Sequence, residues 1–415
     1  MSRKVLIIAG TFPPQEDVGG LRPAMFSKYL PLFGWSPIVL TQTYPSGDPK
    51  NKPTLTGIVG LPTDKDIVKV EIASGAECIG HNGLAAMVCR FIKPEYGQSW
   101  DLIEKMVAGL LESGKAAEID VIYATSPNFA QITVGLALAA RLGVPIIVDF
   151  RDIVEQDVHQ GFRARLLYFR HISRRYWATR SVFHAIAVSE EQRRILAGRL
   201  APSVSVIVNG YDDEMFRVSP DYRTDVFTIN YVGRILGQWL RDPSVFFAAL
   251  DLLKSDPEIA SNEISVRFIG CEVEILEPLL NGHICRDWIK VLPRIAYAAV
   301  PDVIGQSCIN LVLTNQGRTG VLTTKFFEYL AVQRPILCVP FDAGALANII
   351  EKTKCGLASS DASEVARYIK QLYVQWKSSG GIAPVVDSVG IKEFSRRNGA
   401  KQLAALLDKA MKSKA

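Results

Sequence analysis

Short, nearly unbroken apolar runs recur along this chain, each separated from the next by enough residues for a helix. Lys4–Ala9, Pro37–Thr41, Asp120–Ala124, Pro145–Phe150 and Ala185–Ser189 read as strands, with helical patterns over Arg22–Phe33 and Phe129–Leu142 between them. Strands apolar on both faces must be covered on both faces, and helical connections run successive strands in one direction. The pattern therefore dictates parallel sheets with helices on either side. The series restarts at Phe227–Val232 and continues through Val266–Ile269, Ile289–Leu292, Ile309–Leu313 and Ile336–Val339. At 415 residues the chain exceeds what one hydrophobic core serves. The turn-rich break Asn209-Gly210-Tyr211-Asp212 lies between the two series and reads as a hinge. The expected architecture is α/β: two doubly wound domains, 1–209 and 210–388, facing a cleft, with 389–415 forming a helix that packs back across the pair. Residues 45–100, rich in Gly, Pro and Lys, read as an insertion of loops and short helices near the cleft mouth.

Ligands of open parallel sheets bind beyond the carboxyl ends of the strands, so chemistry is sought there. At the first exit, Gly10-Thr11-Phe12-Pro13-Pro14 leads to Gly19-Gly20-Leu21-Arg22, where glycines let backbone N–H groups approach an anion at a helix start. The alternative is a turn that needs glycine for geometry alone. At the exit of Phe227–Val232 stand Gly233 and Arg234, then Arg241-Asp242-Pro243 opening a helix; two guanidiniums there suit a diphosphate. The alternative for Arg241 is pairing with Asp242. Thr323-Thr324-Lys325 begins a helix that carries Glu328 on the same face as Lys325 and runs into a Pro-led strand. A cation and helix-start N–H groups fit phosphate, and the carboxylate fits two ribose hydroxyls; the alternative is a solvated surface pair. Asp149-Phe150-Arg151-Asp152 ends a buried strand at the same level. Charges there need partners or a ligand, with Asp149 and Arg151 a candidate pair and Asp152 free to touch a sugar hydroxyl.

Composition narrows the chemistry. Hydrophobic residues make up 48% and charged residues 21%, an ordinary folded balance, and the formal net charge of +5 is too small to argue for nucleic acid. It is compatible with anionic substrates or an anionic membrane surface. The stretch Arg163–Trp177 has interleaved arginines and apolar residues with no acid, as in a helix lying on lipid; the alternative is an ordinary amphipathic helix. The seven cysteines are scattered without a Cys-x-x-Cys pair, and the five histidines show no ligand spacing, so no metal is assigned; His159 is the one histidine worth testing for catalysis. Classical Gly-x-Gly-x-x-Gly is absent, which counts against a nicotinamide enzyme. The apolar run after Met1 is too short for a signal peptide, and no run approaches a membrane span, so a cytoplasmic protein is expected.

In their order, these motifs resemble the nucleotide-sugar glycosyltransferases of the GT-B fold, in the retaining family 4. The resemblance runs through Phe12-Pro13-Pro14, Gly19-Gly20, Trp100, Asp120–Pro127, Asp149–Asp152, Ala187–Glu190, Val208–Asp212, Tyr231–Arg234 and Lys325–Ala331. It implies two Rossmann-like domains and a UDP- or GDP-type sugar as co-substrate, used without a metal. The other substrate would be a hydroxyl acceptor, glycan or lipid-linked. Glu328 would hold the ribose, and Arg234, Arg241 and Lys325 would neutralise the diphosphate. Many members carry a second Glu eight positions earlier, where this chain has Gly320; backbone groups of Gly317–Val321 or Arg318 would then meet the donor sugar. Two other readings stay open: a GT-B sugar-nucleotide epimerase, and a non-catalytic sugar-nucleotide-binding scaffold.

Overall fold

The computed structural model describes residues 3–15, 18–45, 57–72, 96–126, 129–153, 182–198, 203–217, 223–314, 320–341, 344–385 and 388–413. Two parallel sheets dominate. The first has the order β3-β2-β1-β4-β5-β6-β7, built from β1 (Arg3–Ala9), β2 (Trp35–Thr43), β3 (Ile67–Glu71), β4 (Val121–Thr125), β5 (Ile146–Phe150), β6 (His184–Ala187) and β7 (Val204–Val206). The second has the order β10-β9-β8-β11-β12-β13, built from β8 (Phe227–Val232), β9 (Ile264–Ile269), β10 (Ile289–Leu292), β11 (Ile309–Leu313), β12 (Ile336–Val339) and β13 (Gly356–Ala358). In each sheet the strand order reverses beside the first strand, which opens a crevice at the carboxyl ends of β1/β4 and of β8/β11.

Alternation along β1 shows why the sheet is covered twice. Leu6 and Ile8 join the core under the Phe129–Leu142 helix, whereas Val5 and Ile7 face the core that holds Leu21, Met25 and Phe26. The Leu21–Tyr29 helix gives way to a 3₁₀ turn over Leu30–Phe33, shorter in α-helix than expected, because Pro31 has no N–H to continue the ladder. The expected strands are all present. The three that sequence reading missed, β3, β7 and β13, are edge strands, half-buried and therefore less apolar. β3 lies inside the stretch expected to be only loops and short helices.

The C-terminal segment divides its apolar residues between the two units. Phe394 packs with Phe327 of the second unit, while Leu403, Leu406 and Leu407 of the Arg396–Lys412 helix join Val5, Ile7 and Phe26 of the first. Each such leucine contributes about 1.5–3 kcal/mol on burial, so this helix is firmly seated on the first sheet. The expected hinge is tied to it: Tyr211 N donates to Phe394 O at 3.1 Å and Arg396 N to Tyr211 O at 2.8 Å. Gly210 needs its φ of +65°, and a Cβ there would lie 2.5 Å from Phe394 O. Asp212 reaches the other way, accepting from Lys28 at 2.8 Å and from Tyr29 Oη at 2.5 Å.

Candidate active site

The carboxyl ends of both sheets open on one cavity of about 550 Å³. Its second-unit wall is built from the turn after β8 and the start of the Thr324–Ala331 helix. Thr323 occupies the N-cap position but makes no capping bond, and its buried Oγ1 has no partner. That uncapped helix start, with its partial positive charge, lines the cavity beside Thr324 and Lys325. The Lys325 ammonium is sealed from solvent without a hydrogen-bond partner, 4.1 Å from the centre of the Tyr231 ring. Burial, followed by the charge of Arg241, pulls its pKa down from 10.5 to about 7. Gly233 makes the approach possible: at φ +125° it adopts a conformation closed to other residues, and a Cβ there would lie 2.7 Å from Lys325 Nζ.

Glu328, one turn further along, is 6% exposed and accepts a 2.7 Å hydrogen bond from Tyr297 Oη. Burial raises its pKa, opposed by Tyr297 and by the nearby charges of Arg396 and Lys325. The turn that follows β8 is folded on itself. Arg234 Nε donates to Glu272 at 2.5 Å, and the Arg234 carbonyl accepts from Tyr231 Oη at 2.8 Å and from the Arg241 guanidinium. Asp242 accepts from Ser244 N at 2.9 Å at the start of the next helix. Arg234 and Arg241 thus stand on the cavity rim, with the Arg241 guanidinium bracing the Arg234 carbonyl.

Comparison with known proteins bears on the fold. The sequence model of Glycosyltransferase Family 4 matches residues 26–215. HepE from Anabaena, solved with UDP, shares 16% identity over 98% of this chain and 100% of its own, with a TM-score of 0.62. Sucrose-phosphate synthase from Thermosynechococcus elongatus shares 13% identity over 99% and 100%, at 0.67. The α,α-trehalose 6-phosphate synthase of Burkholderia multivorans shares 9% over the full length of both chains, at 0.63. These structural likenesses carry the GT-B fold. Over residues 26–215, under half of the chain, the sequence resembles Glycosyltransferase Family 4. No curated protein sequence matches this chain.

The first-unit wall gives Asp149 and Arg22 partners that the sequence left open. Asp149 does not pair with Arg151; it is fully buried and holds Arg22, through Nε at 2.7 Å and Nη2 at 3.1 Å. Arg22, expected to touch substrate, also donates to the carbonyls of Ile207 and Val208 at 2.8 Å each. It borders the cavity, but its guanidinium is committed to joining the first helix to the strand exits. Arg151 instead donates to the Gly19 carbonyl, leaving its Nε without a partner, and Asp152 is exposed at the cavity edge. Gly20 packs on the Thr11 backbone, where a Cβ would meet the carbonyl oxygen at 3.1 Å, so its role there is close approach.

Gly320 has φ +70°, and a side chain there would run into Glu191 of the opposite unit, whose Cβ lies 2.8 Å from the position a Cβ would take. The space is occupied. Gly320→Ala is expected to destabilise the protein by about 1–3 kcal/mol through the left-handed backbone alone, read as a lower unfolding midpoint. Arg318 and His159 lie outside the described residues, as does the Arg163–Trp177 stretch.

Tyr297, Glu272, Gln192 and Arg396 join the site without having drawn notice in the sequence. Each supports or flanks a motif residue from a distant segment, and none sits in a local pattern that signals it. Away from the cavity, Asp251, His283 and Cys285 bring potential metal-ligating atoms within 4.8 Å of one another. They are engaged internally: Asp251 binds His283 Nδ1 at 2.6 Å and the Cys285 amide at 2.9 Å, and burial pushes the Cys285 thiol up, away from a thiolate. Among the described residues, no helix is long and apolar enough to cross a membrane.

Proposed function

We propose that this transferase moves a hexosyl or related unit from a UDP- or GDP-type sugar to a hydroxyl of a glycan or lipid-linked acceptor. Transfer proceeds with retention at the anomeric carbon and without a metal, in glycan, polysaccharide or glycolipid biosynthesis. The observation that carries the reading is the pairing of a Tyr297-held carboxylate, Glu328, with an unpartnered ammonium, Lys325, on one face of an uncapped helix start. A carboxylate accepts from the two ribose hydroxyls while the cation and the N–H groups meet the diphosphate. HepE, of the same fold, has been solved with UDP, with UDP and glucose, and with UDP-glucose. In this reading residues 1–209 form the acceptor side and 210–388 the donor side, and residues 389–415 strap the two together. Asp152, Gly19 and the Gly320 backbone face the sugar and acceptor.

As the anomeric carbon–oxygen bond breaks, its electron pair collects on the leaving diphosphate, where Lys325, Arg241 and Arg234 stabilise it. The acceptor oxygen bonds to the anomeric carbon on the same face and passes its proton to a diphosphate oxygen, so no separate base is required. Closure of the two units would exclude water from the intermediate stage.

Glu328→Ala is expected to weaken UDP binding by about 1.5–3 kcal/mol, the worth of hydrogen bonds to a charged group, measured by calorimetry. A folded variant with wild-type affinity removes the ribose role. Peripheral contact with an anionic membrane rests on the sequence of Arg163–Trp177, each basic residue being worth about 1 kcal/mol near an anionic leaflet. Sedimentation with phosphatidylglycerol vesicles should show binding that salt abolishes; none at low salt leaves a soluble acceptor.

A further inference from the structure

Leu236, in the turn after β8, has φ +67°, in the left-handed region that residues with a side chain avoid, and it lines the cavity beside Gly233 and Arg234. Such backbone strain persists only where the surroundings fix it. Here they do. The Gly233 amide donates to Ile269 O at 2.8 Å, and the Gly233 carbonyl accepts from Cys271 Sγ at 3.0 Å. Further along, the Gly237 carbonyl accepts from the amides of Leu240 and Arg241 at 3.1 and 3.0 Å. Between these points the brace is a single carboxylate. Glu272, at the N-cap position of the Val273–Leu279 helix, takes Arg234 Nε on Oε1 at 2.5 Å. Its Oε2 takes the amides of Ile235 at 3.1 Å and Leu236 at 3.5 Å.

This pair adds little to stability, since the Arg234 side chain is 63% exposed and water screens the charges. What it fixes is direction. Among the described residues Arg234 donates only through Nε, so its two terminal nitrogens are left to a ligand while the other edge of the guanidinium is pinned. A pinned planar fork meets two phosphoryl oxygens without reorganising, whereas a loose one must be ordered as the ligand arrives. We propose that Glu272 is a positioning residue for the donor diphosphate, acting through Arg234 and the turn that carries it. This deepens the transfer reading above and rests on it. Glu272 is not among the residues lining the cavity. Its carboxylate also occupies the two turn amides that could otherwise face an anion, which leaves the diphosphate to side chains and to the start of the Thr324–Ala331 helix.

The test is UDP and GDP binding by calorimetry to the native full chain, to Glu272→Ala, Glu272→Gln and Arg234→Ala, and to the double variant Glu272→Ala with Arg234→Ala. Glu272→Ala is expected to weaken binding about tenfold, the scale of one charge-assisted hydrogen bond. Glu272→Gln keeps the size of the side chain but leaves one accepting oxygen for three donors, so it should lose affinity by a smaller factor, in a variant whose packing is retained. In the Arg234→Ala background the Glu272 substitution should cost no further affinity, because the group it positions is gone. Unchanged or tighter binding by a folded Glu272 variant overturns the proposal, making the carboxylate a bystander or a competitor of the diphosphate. Losses that add in the double variant overturn it too, as the mark of a purely structural effect, and so does native affinity in Arg234→Ala. Native protein that binds neither nucleotide overturns the donor-site reading itself, so the two failures are distinct.

Discussion

Lys325→Ala is expected to lower kcat by about 10²–10³, the usual loss when one preorganised group facing a developing oxyanion is removed. The Lys325 ammonium has no protein hydrogen bond to lose, lines the cavity, and shares an uncapped helix start with Thr323 and Thr324. Charge on the diphosphate grows as the glycosidic bond breaks, so turnover should fall further than UDP affinity. Equal losses in both would make Lys325 a ground-state binding residue. The same group sets a pH dependence. In the ligand-free fold it titrates at about 7, against 10.5 when exposed, because burial disfavours the charged form. Between these values the unfolded chain carries a proton that the fold lacks, so the contribution of Lys325 to stability rises with pH across that window. Donor binding runs the other way. Diphosphate favours the ammonium, so above about pH 7 binding takes up a proton and affinity falls as pH rises, by at most about tenfold per unit. Calorimetry in two buffers of different ionisation enthalpy, at about pH 8, should show uptake approaching one proton in the native protein and none in Lys325→Met.

Asp149→Ala should be the most damaging single change to the fold, at about 3–5 kcal/mol, because it leaves the Arg22 guanidinium buried and uncompensated. The carboxylate also accepts from Tyr123 Oη and from Thr125 Oγ1 at 3.3 Å, so three partners are stranded together. Thermal unfolding should move down by roughly 10 °C or more. The double change Arg22→Met with Asp149→Leu is expected to recover most of that loss, since an apolar pair of similar volume often replaces a buried ion pair at little cost. If the double variant is stable and keeps its kcat and acceptor KM, Arg22 is structural. A stable double variant with a raised acceptor KM would return Arg22 to the substrate.

Much of the architecture was legible because it depends on local periodicity. An apolar run such as Val5–Ala9 can be covered on both faces only inside a parallel sheet. The strands that escaped notice, β3, β7 and β13, lie at sheet edges, where one side faces solvent and the apolar signal is diluted. The site divides the same way. Thr323, Lys325 and Glu328 are adjacent on one helix, so their shared face follows from helical geometry alone. Arg22 and Asp149 are 127 residues apart, and nothing in either segment says which cation the buried carboxylate takes. Charge and strand position were enough to place Asp149, Arg151 and Arg22 near one crevice, but all three sit at strand or helix ends with similar chemistry.

The unbroken apolar runs of this chain settle its two parallel sheets and the level at which ligands meet them, because burial on both faces leaves a strand no other environment. Partner choice is settled in three dimensions. Tyr297 orients Glu328 from another loop, Glu191 fills the space beside Gly320 from the opposite unit, and the C-terminal helix carries Arg396 back into the cleft by burying its leucines on the first sheet. Each of these contacts depends on how two distant segments are packed, and side-chain electrostatics at that range has no imprint on local sequence.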